Sequence, residues 1–268
     1  MKSEVIFLGT GSAFPSKSYN SCCLVRDGAL SMLVDAGGGN GILRRLEEAG
    51  VPAKDIRHFF VTHVHTDHIL GAVWVLRSAV QRMREGLDAA PLHFYGNSYV
   101  VTALKTICRL TLHTADYGRM EAIVEFHDLD ATPRLEIEGH RIEFFDVLAE
   151  NVRQTGFRLR LDNGTVLAHL GDEALTERNA GRAHGADTLI CGAFCRYADR
   201  EIFKPYEKHH STVADVARIA AKSAIPRLIL VHCEDRTLPD RASLYKAEAA
   251  DIYAGRLEVP EDLEAIEL

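Results

Sequence analysis

Short apolar runs alternate with amphipathic segments along the chain, and this pattern predicts both strands and helices. Apolar runs bounded by turn residues predict strands at residues 5–8, 30–34, 58–62, 188–190 and 228–231. Apolar residues at helical spacing predict helices that contain Ile42 and Leu46, Ile69 and Leu76, and Val213 and Val216. Gly50 suits the position just after the first of these helices. No linker, repeat or low-complexity tract interrupts the pattern, which argues against a second domain.

A hairpin is predicted where residues 157–161 and 165–170 flank the turn residues Asp162, Asn163 and Gly164. An Asn-Gly pair accepts the positive φ values of a type I′ turn. We therefore expect two antiparallel strands joined by that turn.

Residues 63–68, with the sequence HVHTDH, lie between a predicted strand and a predicted helix. They supply imidazole and carboxylate donors of the type that zinc binds. On a tight turn, His63 and His65 can reach one metal ion while Asp67 and His68 reach a second one. A mere cluster of solvated histidines is disfavoured because the flanking segments are apolar, and buried unpaired charges would be costly without a metal.

Two further polar residues follow apolar runs, Asp172 after one and His232 after another. Strand ends at one edge of a sheet are where ligands from distant parts of a sequence converge. Asp172 would then bridge the two metals, and His232 would complete the shell of the second. The alternatives are a turn aspartate after Gly171 and a hydrogen-bonded histidine at a strand end.

The composition is that of an ordinary globular protein, with 268 residues, 47% hydrophobic and 26% charged, and we expect one domain spanning residues 1–268. The net charge of −7 and the pI near 6.0 give no general attraction to phosphate backbones, so charge does not support an RNA partner. We find no stretch near the roughly 20 apolar residues that cross a bilayer, and no signal peptide. We therefore expect a cytoplasmic protein without a membrane partner. The six cysteines are expected to be reduced and mostly buried.

The HVHTDH run resembles the H-x-H-x-D-H signature of the metallo-β-lactamase superfamily. Segments that resemble the superfamily's other motifs occur along the chain in the order that the superfamily uses. They lie at residues 7–12, 33–37 and 171–172 and at His232. Residues 7–12, 67–71 and 207–212 are most similar to the branch containing ribonuclease Z, the tRNA 3′-processing endoribonuclease. The resemblance covers nearly the whole chain. It implies an α/β (α+β) fold, a four-layer αββα sandwich with the metals at one edge between the two sheets.

The resemblance also gives His210 a catalytic role. In that branch a histidine followed by Ser or Met and then by Thr assists catalysis, and His210 precedes Ser211 and Thr212. The alternative is a structural position beside a helix N-cap, because Ser211 and Thr212 are themselves good caps.

One position departs from the superfamily pattern. The first metal normally takes a third histidine, shortly before the Gly-aromatic pair that opens the hairpin strand, and the corresponding residue here is Glu150. Glu150 would serve as an oxygen ligand and make the first site more tolerant of manganese or iron. The alternative is an exposed loop carboxylate. The chain also lacks the basic, glycine-rich insertion that would form the tRNA-gripping arm.

These observations favour a metal-dependent hydrolase with two zinc ions, and above all a phosphodiesterase that attacks a small or nucleotide-like ester with a metal-bound hydroxide. Asp67 and Asp172 would orient the hydroxide, while His210 would hydrogen-bond the phosphoryl group or protonate the leaving group. Three cations nearby in the sequence are candidates for binding phosphate, namely Lys204, Lys208 and Arg196. The alternative is that they are solvated surface residues.

Other functions and assemblies stay open. The same scaffold would suit a carboxylic ester, lactone or thioester hydrolase, or a tRNA 3′-processing endoribonuclease. A non-catalytic metal-binding module that lost turnover with its third histidine is the hypothesis from another class. A homodimer is open as well.

Overall fold

The computed structural model describes residues 2–87 and 90–268. Met1, with which the predicted domain begins, lies outside the described residues, as do residues 88–89. Within the described part of the chain, strands form two seven-stranded sheets.

The first sheet is built mainly from the N-terminal half of the chain. Its strands are β1 (Glu4–Gly9), β2 (Cys22–Asp27), β3 (Leu30–Val34), β4 (His58–Phe60), β5 (Leu92–Gly96), β6 (Val124–Asp128) and β14 (Glu264–Glu267). Their order across the sheet is β14-β1-β2-β3-β4-β5-β6. Strands β3 to β6 are parallel, so their carboxyl ends lie at the same edge.

The second sheet is built from the C-terminal half. Its strands are β7 (Arg134–Ile137), β8 (His140–Asp146), β9 (Thr155–Arg160), β10 (Val166–His169), β11 (Thr188–Gly192), β12 (Arg227–Val231) and β13 (Arg256–Glu258). Their order is β13-β12-β11-β10-β9-β8-β7. Strands β10 to β13 are parallel, which again brings their carboxyl ends to one edge.

The α-helices connect these strands. They are α1 (Gly41–Glu48), α2 (Thr66–Arg84), α3 (Ser98–Thr111), α4 (Thr114–Ile123), α5 (Arg200–Phe203), α6 (Val213–Lys222) and α7 (Arg241–Ala249). The predicted helices correspond to α1, α2 and α6, and Gly50 has the positive φ of 72° expected just after α1.

Three apolar layers hold the molecule together. One layer joins the first sheet to α1 and α2, and includes Leu46 and Leu76. A second lies between the two sheets, where Phe60 of β4 contacts Phe157 of β9 with ring centroids 5.9 Å apart. The third joins the second sheet to α6 and α7, and includes Tyr245. Three apolar layers separate four layers of secondary structure, so the predicted αββα sandwich is confirmed.

Burial on both faces explains why the strands appear in the sequence as unbroken apolar runs. Successive side chains of a strand point to opposite faces. In β4, Phe59 packs in the helix-facing layer and Phe60 in the layer between the sheets. Leu24 and Val25 of β2 divide in the same way.

The predicted hairpin is present as the antiparallel pair β9–β10, but its predicted turn type is wrong. Gly164 has a φ of 89°, whereas Asn163 is absent from the described residues with positive φ. The Gly164 N–H donates to Leu161 and the Leu161 N–H donates to Thr165, a longer connection than a two-residue turn. The extra residue lets the chain turn without placing Asn163 in a left-handed conformation.

The cysteines agree with the expectation from composition. All six cysteines are free and buried. Over the described residues, the helices lack the combined length and apolar character that a membrane span requires.

Candidate metal centre

The ends of three strands bring the candidate ligands together at one edge of the sandwich. His63 lies just beyond β4, Asp172 just beyond β10, and His232 directly after β12. All three side chains are buried, with exposed fractions of 0%, 4% and 2%. The three strand ends therefore bring these side chains close together, as their distances show.

The HVHTDH run has the predicted position between a strand and a helix. His65 is the N-cap residue of α2, so Asp67 and His68 lie in the first turn of that helix. A carboxylate in a first turn interacts favourably with the helix dipole, which suits Asp67 to this position.

His63, His65 and Asp172, which we call the His63 group, form the first set of potential ligands. One ligand atom from each lies within 4.8 Å of the other two. His63 Nε2 is 2.9 Å from His65 Nδ1 and 3.8 Å from Asp172 Oδ2. On its other side, the Nδ1 atom of His63 is 2.9 Å from the hydroxyl of Thr62, which holds the ring in place.

Asp67, His68 and His232, which we call the His68 group, form the second set. Asp67 Oδ2 lies 3.2 Å from His68 Nε2 and 3.4 Å from His232 Nε2. Asp172 Oδ2 is 3.5 Å from each of the same two imidazole nitrogens. The carboxylate of Asp172 therefore lies between the two groups, where a bridging ligand would be.

Atoms without hydrogen-bond partners show that these residues fit a metal. His68 Nε2 and Asp172 Oδ1 are buried and have no hydrogen-bond partner among the described atoms. Leaving a buried polar group unpaired costs about 1–3 kcal/mol, so such groups need an explanation. Imidazole nitrogens and carboxylate oxygens are the donors that zinc accepts, and a cation here would bind those free lone pairs.

Asp35 orients His68 and is a residue that the sequence did not reveal as part of the site. Its Oδ2 is 2.8 Å from His68 Nδ1, and the Thr62 hydroxyl donates to the same oxygen at 2.8 Å. A carboxylate on one ring nitrogen fixes the tautomer and aims the other nitrogen at the metal position. The signals in the sequence were an aspartate at a strand end followed by glycines, and the resemblance of residues 33–37 to a superfamily motif.

Gly71 allows α2 to approach closely enough for the Asp35–His68 contact. A Cβ at Gly71 would lie 1.9 Å from the carbonyl oxygen of Ala36. Without it, the backbone N–H of Gly71 donates to Gly37 at 2.8 Å, and that of Ala36 donates to His68 at 3.1 Å. The first turn of α2 is thereby fixed against the loop after β3.

The electrostatics of the two ligand groups favour a positive charge between them. Burial lowers the pKa of His63 to about 3, so this imidazole is neutral and has a free lone pair. Burial opposes a charge on His68, but the carboxylates of Asp35 and Asp67 raise its pKa well above its usual value. Burial also opposes ionisation of Asp172, yet the facing histidines hold its pKa well below the usual range. The cluster thus stabilises a cation, and a metal would replace the proton on His68.

His210 lies next to these groups and beside a large cavity. Its ring centroid is 4.9 Å from that of His232 and 5.3 Å from that of Phe194. Burial and the neighbouring His232 lower the pKa of His210 to about 4. Thr212, with Asp215, caps α6 in a capping box, so the cap needs no contribution from His210.

The cavity has a volume of about 740 Å³, and residues of both ligand groups line it. Its walls include Asp67, Asp172 and His210. Of the three cations expected to bind phosphate, Lys208 lines this cavity. Lys204 instead pairs with Glu201 at 2.8 Å, and Arg196 pairs with Asp199 at 2.7 Å. Residues in its wall that sequence reasoning missed are Phe14, Asn151 and Arg236.

Glu150 lies outside both ligand groups. Its side chain is 64% exposed, and its carboxylate is 3.6 Å from Arg178 and 3.5 Å from His209. The expectation that Glu150 replaces the third histidine is not supported by these contacts, which match the alternative of an exposed loop carboxylate. Glu150 faces away from the ligand groups because Arg178 and His209 hold its carboxylate at the surface.

Solved structures of other proteins have the same fold. The TM-score is 0.80 against the metallo-β-lactamase fold protein YhfI from Bacillus subtilis, at 19% identity and with 100% of both chains covered. It is 0.75 against a diphosphatase from the PhnP family, at 19% identity, covering 99% of this chain and 98% of that one. In sequence, the chain is 28% identical over 284 residues to ribonuclease Z of Mycobacterium bovis (strain BCG / Pasteur 1173P2), covering 99% of this chain and 98% of the relative.

The fold and these relatives define the class, a metal-dependent hydrolase of the metallo-β-lactamase superfamily in its ribonuclease Z-like branch. Within that class, the chain belongs to the Anti-Pycsar protein Apyc1 family, whose model matches residues 3–248. The motifs in the sequence identify the superfamily and the branch, but they do not separate this family from ribonuclease Z.

Proposed function

We propose that this protein is a phosphodiesterase for a small or nucleotide-like phosphodiester, and that it acts with two metal ions, zinc in the first instance. The observation that carries the proposal is a pair of buried atoms that make no hydrogen bond, His68 Nε2 and Asp172 Oδ1, beside a cavity that His210 and Lys208 line. Potential metal ligands thus lie beside groups that would bind an anion.

The two ligand groups would hold one ion each. His63, His65 and the shared Asp172 would bind the first ion, and Asp67, His68, His232 and the same Asp172 would bind the second. With fewer protein ligands, the first position would bind its ion more weakly than the second. When bound, such a pair of ions polarises a phosphoryl group and makes a water molecule acidic.

The protein's own residues would orient the reactants. The carboxylate of Asp67 faces the cavity and accepts a hydrogen bond from the attacking water, while Asp172 is held by the histidines that surround it. Neutral His210 keeps one N–H, which it would donate to a phosphoryl oxygen or to the leaving oxygen. Lys208 would add positive charge near the same oxygens.

A phosphodiester suits the cavity better than a carboxylic ester. Two ions close together act as a clamp on the attacking and leaving oxygens of a phosphoryl transfer. Lys208 and Arg236 in the cavity wall provide additional positive charge for an anionic substrate. The names of two similar proteins, a ribonuclease and a diphosphatase, both describe cleavage of phosphate linkages.

A tRNA precursor is the second candidate substrate, because the ribonuclease Z relative matches over 99% of this chain. The net charge of −7 weighs against it, since a polynucleotide is bound chiefly through its phosphates.

Substrate assays on the reloaded protein test the proposal. Full-length protein is stripped with a chelator, reloaded with zinc, manganese or iron, and given a chromogenic phosphodiester, a lactone, a thioester and a tRNA precursor. The expected result is phosphodiester hydrolysis that requires metal and is absent in Asp172→Asn. Turnover confined to the lactone or thioester, or hydrolysis that survives metal removal in Asp172→Asn as well, would overturn the proposal.

A further inference from the structure

A further set of potential metal ligands, separate from the His63 and His68 groups, lies at the opposite end of the first sheet from the candidate metal centre. It consists of His93 on β5 and of Glu125 and His127 on β6, and we call it the edge-strand cluster. One ligand atom from each residue lies within 4.8 Å of the other two. The cluster begins beside His58, the first residue of β4, whereas His63 lies beyond the last residue of that strand.

The register of the strands explains why these side chains meet. His93 is paired with Glu125, and Tyr95 with His127, in the parallel ladder between β5 and β6. Residues two apart on a strand share a face, so Glu125 and His127 lie on the same face as His93. Two rows of one ladder therefore supply all three ligands.

The distances in the edge-strand cluster fit a tetrahedral ion. His93 Nδ1 is 3.1 Å from His127 Nε2 and 3.2 Å from Glu125 Oε2. Ligand atoms at 2.0–2.1 Å from a tetrahedral zinc are separated from one another by roughly 3.3 Å. The ligand atoms of Glu125 and His127 lie within 4.8 Å of each other, so a shift of one side chain would bring all three around an ion.

Hydrogen bonds among these three side chains cannot satisfy all of their ligand atoms. His93 Nδ1 carries at most one proton, yet it lies within bonding distance of both an imidazole nitrogen and a carboxylate oxygen. An ion would bind all three lone pairs at once. Imidazole nitrogens and carboxylate oxygens are donors that zinc accepts, and a water molecule would fill the fourth position.

His58 holds the ring of His93 in position. The two rings are stacked with centroids 5.2 Å apart and an interplanar angle of 10°. His58 itself is buried and is fixed by the hydroxyl of Tyr95 at 3.0 Å and by Glu138 at 3.1 Å. The ligand at the centre of the cluster is thereby preorganised, which reduces the entropy lost on binding.

We propose that His93, Glu125 and His127 form a divalent transition-metal site, for zinc in the first instance, that is separate from the candidate metal centre. The ion would link β5 to β6, which is the last strand of the first sheet. Linking an edge strand to its neighbour stabilises the strand that is otherwise paired on one side only. The site is structural, and hydrolysis does not depend on it.

Zinc binding by the full-length protein tests this site. Protein stripped of metal is equilibrated with buffered zinc, and bound zinc is measured by elemental analysis in the wild type and in Glu125→Gln, His127→Ala and His184→Ala. The expected result is one zinc equivalent that binds at least about tenfold more weakly in Glu125→Gln and His127→Ala, a loss no smaller than that from removing an outer-shell partner. His184 is an exposed histidine elsewhere on the surface, so His184→Ala is the matched control and should bind as the wild type does.

Two further measurements keep the test decisive. The zinc-induced rise in melting temperature should shrink in Glu125→Gln, while its hydrolytic activity stays at the wild-type level. Asp172→Asn should keep the zinc equivalent of the edge-strand cluster, which separates this proposal from the proposed function. Identical zinc binding in the wild type and in Glu125→Gln would overturn the proposal. Glu125 is 57% exposed, so this variant remains informative even if His127→Ala fails to fold.

Discussion

Asp172 of the His63 group also lies beside the His68 group, but the two groups of potential ligands are built unequally. The His68 group has three ligands of its own, and Asp35 fixes one of them from behind. The His63 group has two imidazoles of its own, and Glu150, which stands where the superfamily pattern implies a further histidine, faces outward. Because affinity rises with the number and preorganisation of ligands, the two groups should bind metal with different strengths.

The largest effect should come from Asp172, which lies between the two groups. Asp172→Asn keeps the volume of the side chain but removes the charge between the two sets of imidazoles. We expect both positions to lose most of their zinc and hydrolysis to fall by roughly 10³-fold or more, since metal ions supply much of the charge stabilisation. Elemental analysis and kcat measure this. Loss of one ion only would show that Asp172 belongs to a single group.

His210 should have the next largest effect, and on activity alone. It contacts His232 but lies in neither ligand group, so His210→Ala should lower kcat by roughly 10²–10⁴ while metal content and melting temperature stay nearly unchanged. His209→Ala is the matched control, because His209 is half exposed and pairs with Glu150. Equal losses in both variants, or a drop in melting temperature that accounts for the lost activity, would make His210 a structural residue.

Asp35 distinguishes the two groups because it contacts His68 directly and reaches His63 only through the hydroxyl of Thr62. Asp35→Asn removes the carboxylate that fixes the tautomer of His68. We expect zinc to bind about 10–100-fold more weakly at the His68 group and nearly unchanged at the His63 group, the usual range for such a partner. Zinc titration followed by calorimetry resolves the two. Equal weakening at both groups would mean that Asp35 acts on the fold as a whole.

The smallest effect should come from Glu150. Its carboxylate pairs with Arg178 and His209 on the surface, so Glu150→Ala should leave the zinc content of both groups nearly unchanged. Elemental analysis after dialysis is the measurement. If the variant lost one ion, Glu150 would be a ligand of the His63 group after all.

Much of this site could be predicted from the sequence because its ligands have local signals. His63, His65, Asp67 and His68 lie within six successive positions, and the apolar runs before Asp172 and His232 predict strands that end at the same edge. The αββα sandwich was implied by the resemblance to the superfamily that these motifs carry. The single domain, the cytoplasmic location and the homodimer stay predictions.

Other parts could not be predicted, because they depend on contacts between distant positions. Asp35 reaches His68 only after Gly71 lets α2 approach the loop after β3. Glu150 has the right position in the sequence, but its orientation depends on Arg178 and His209, and no local pattern reveals that. The edge-strand cluster likewise needs the register of two strands before its ligands meet.

Zinc titration of His65→Ala and His68→Ala tests the unequal metal centre most directly. The wild type stripped of metal should bind zinc in a tight step and a weaker step at these groups, by calorimetry with elemental analysis of the end point. His68→Ala should lose the tight step and His65→Ala the weaker one, because each histidine belongs to one group. If His65→Ala lost the tight step while His68→Ala kept it, the assignment of the stronger position to the His68 group would be contradicted.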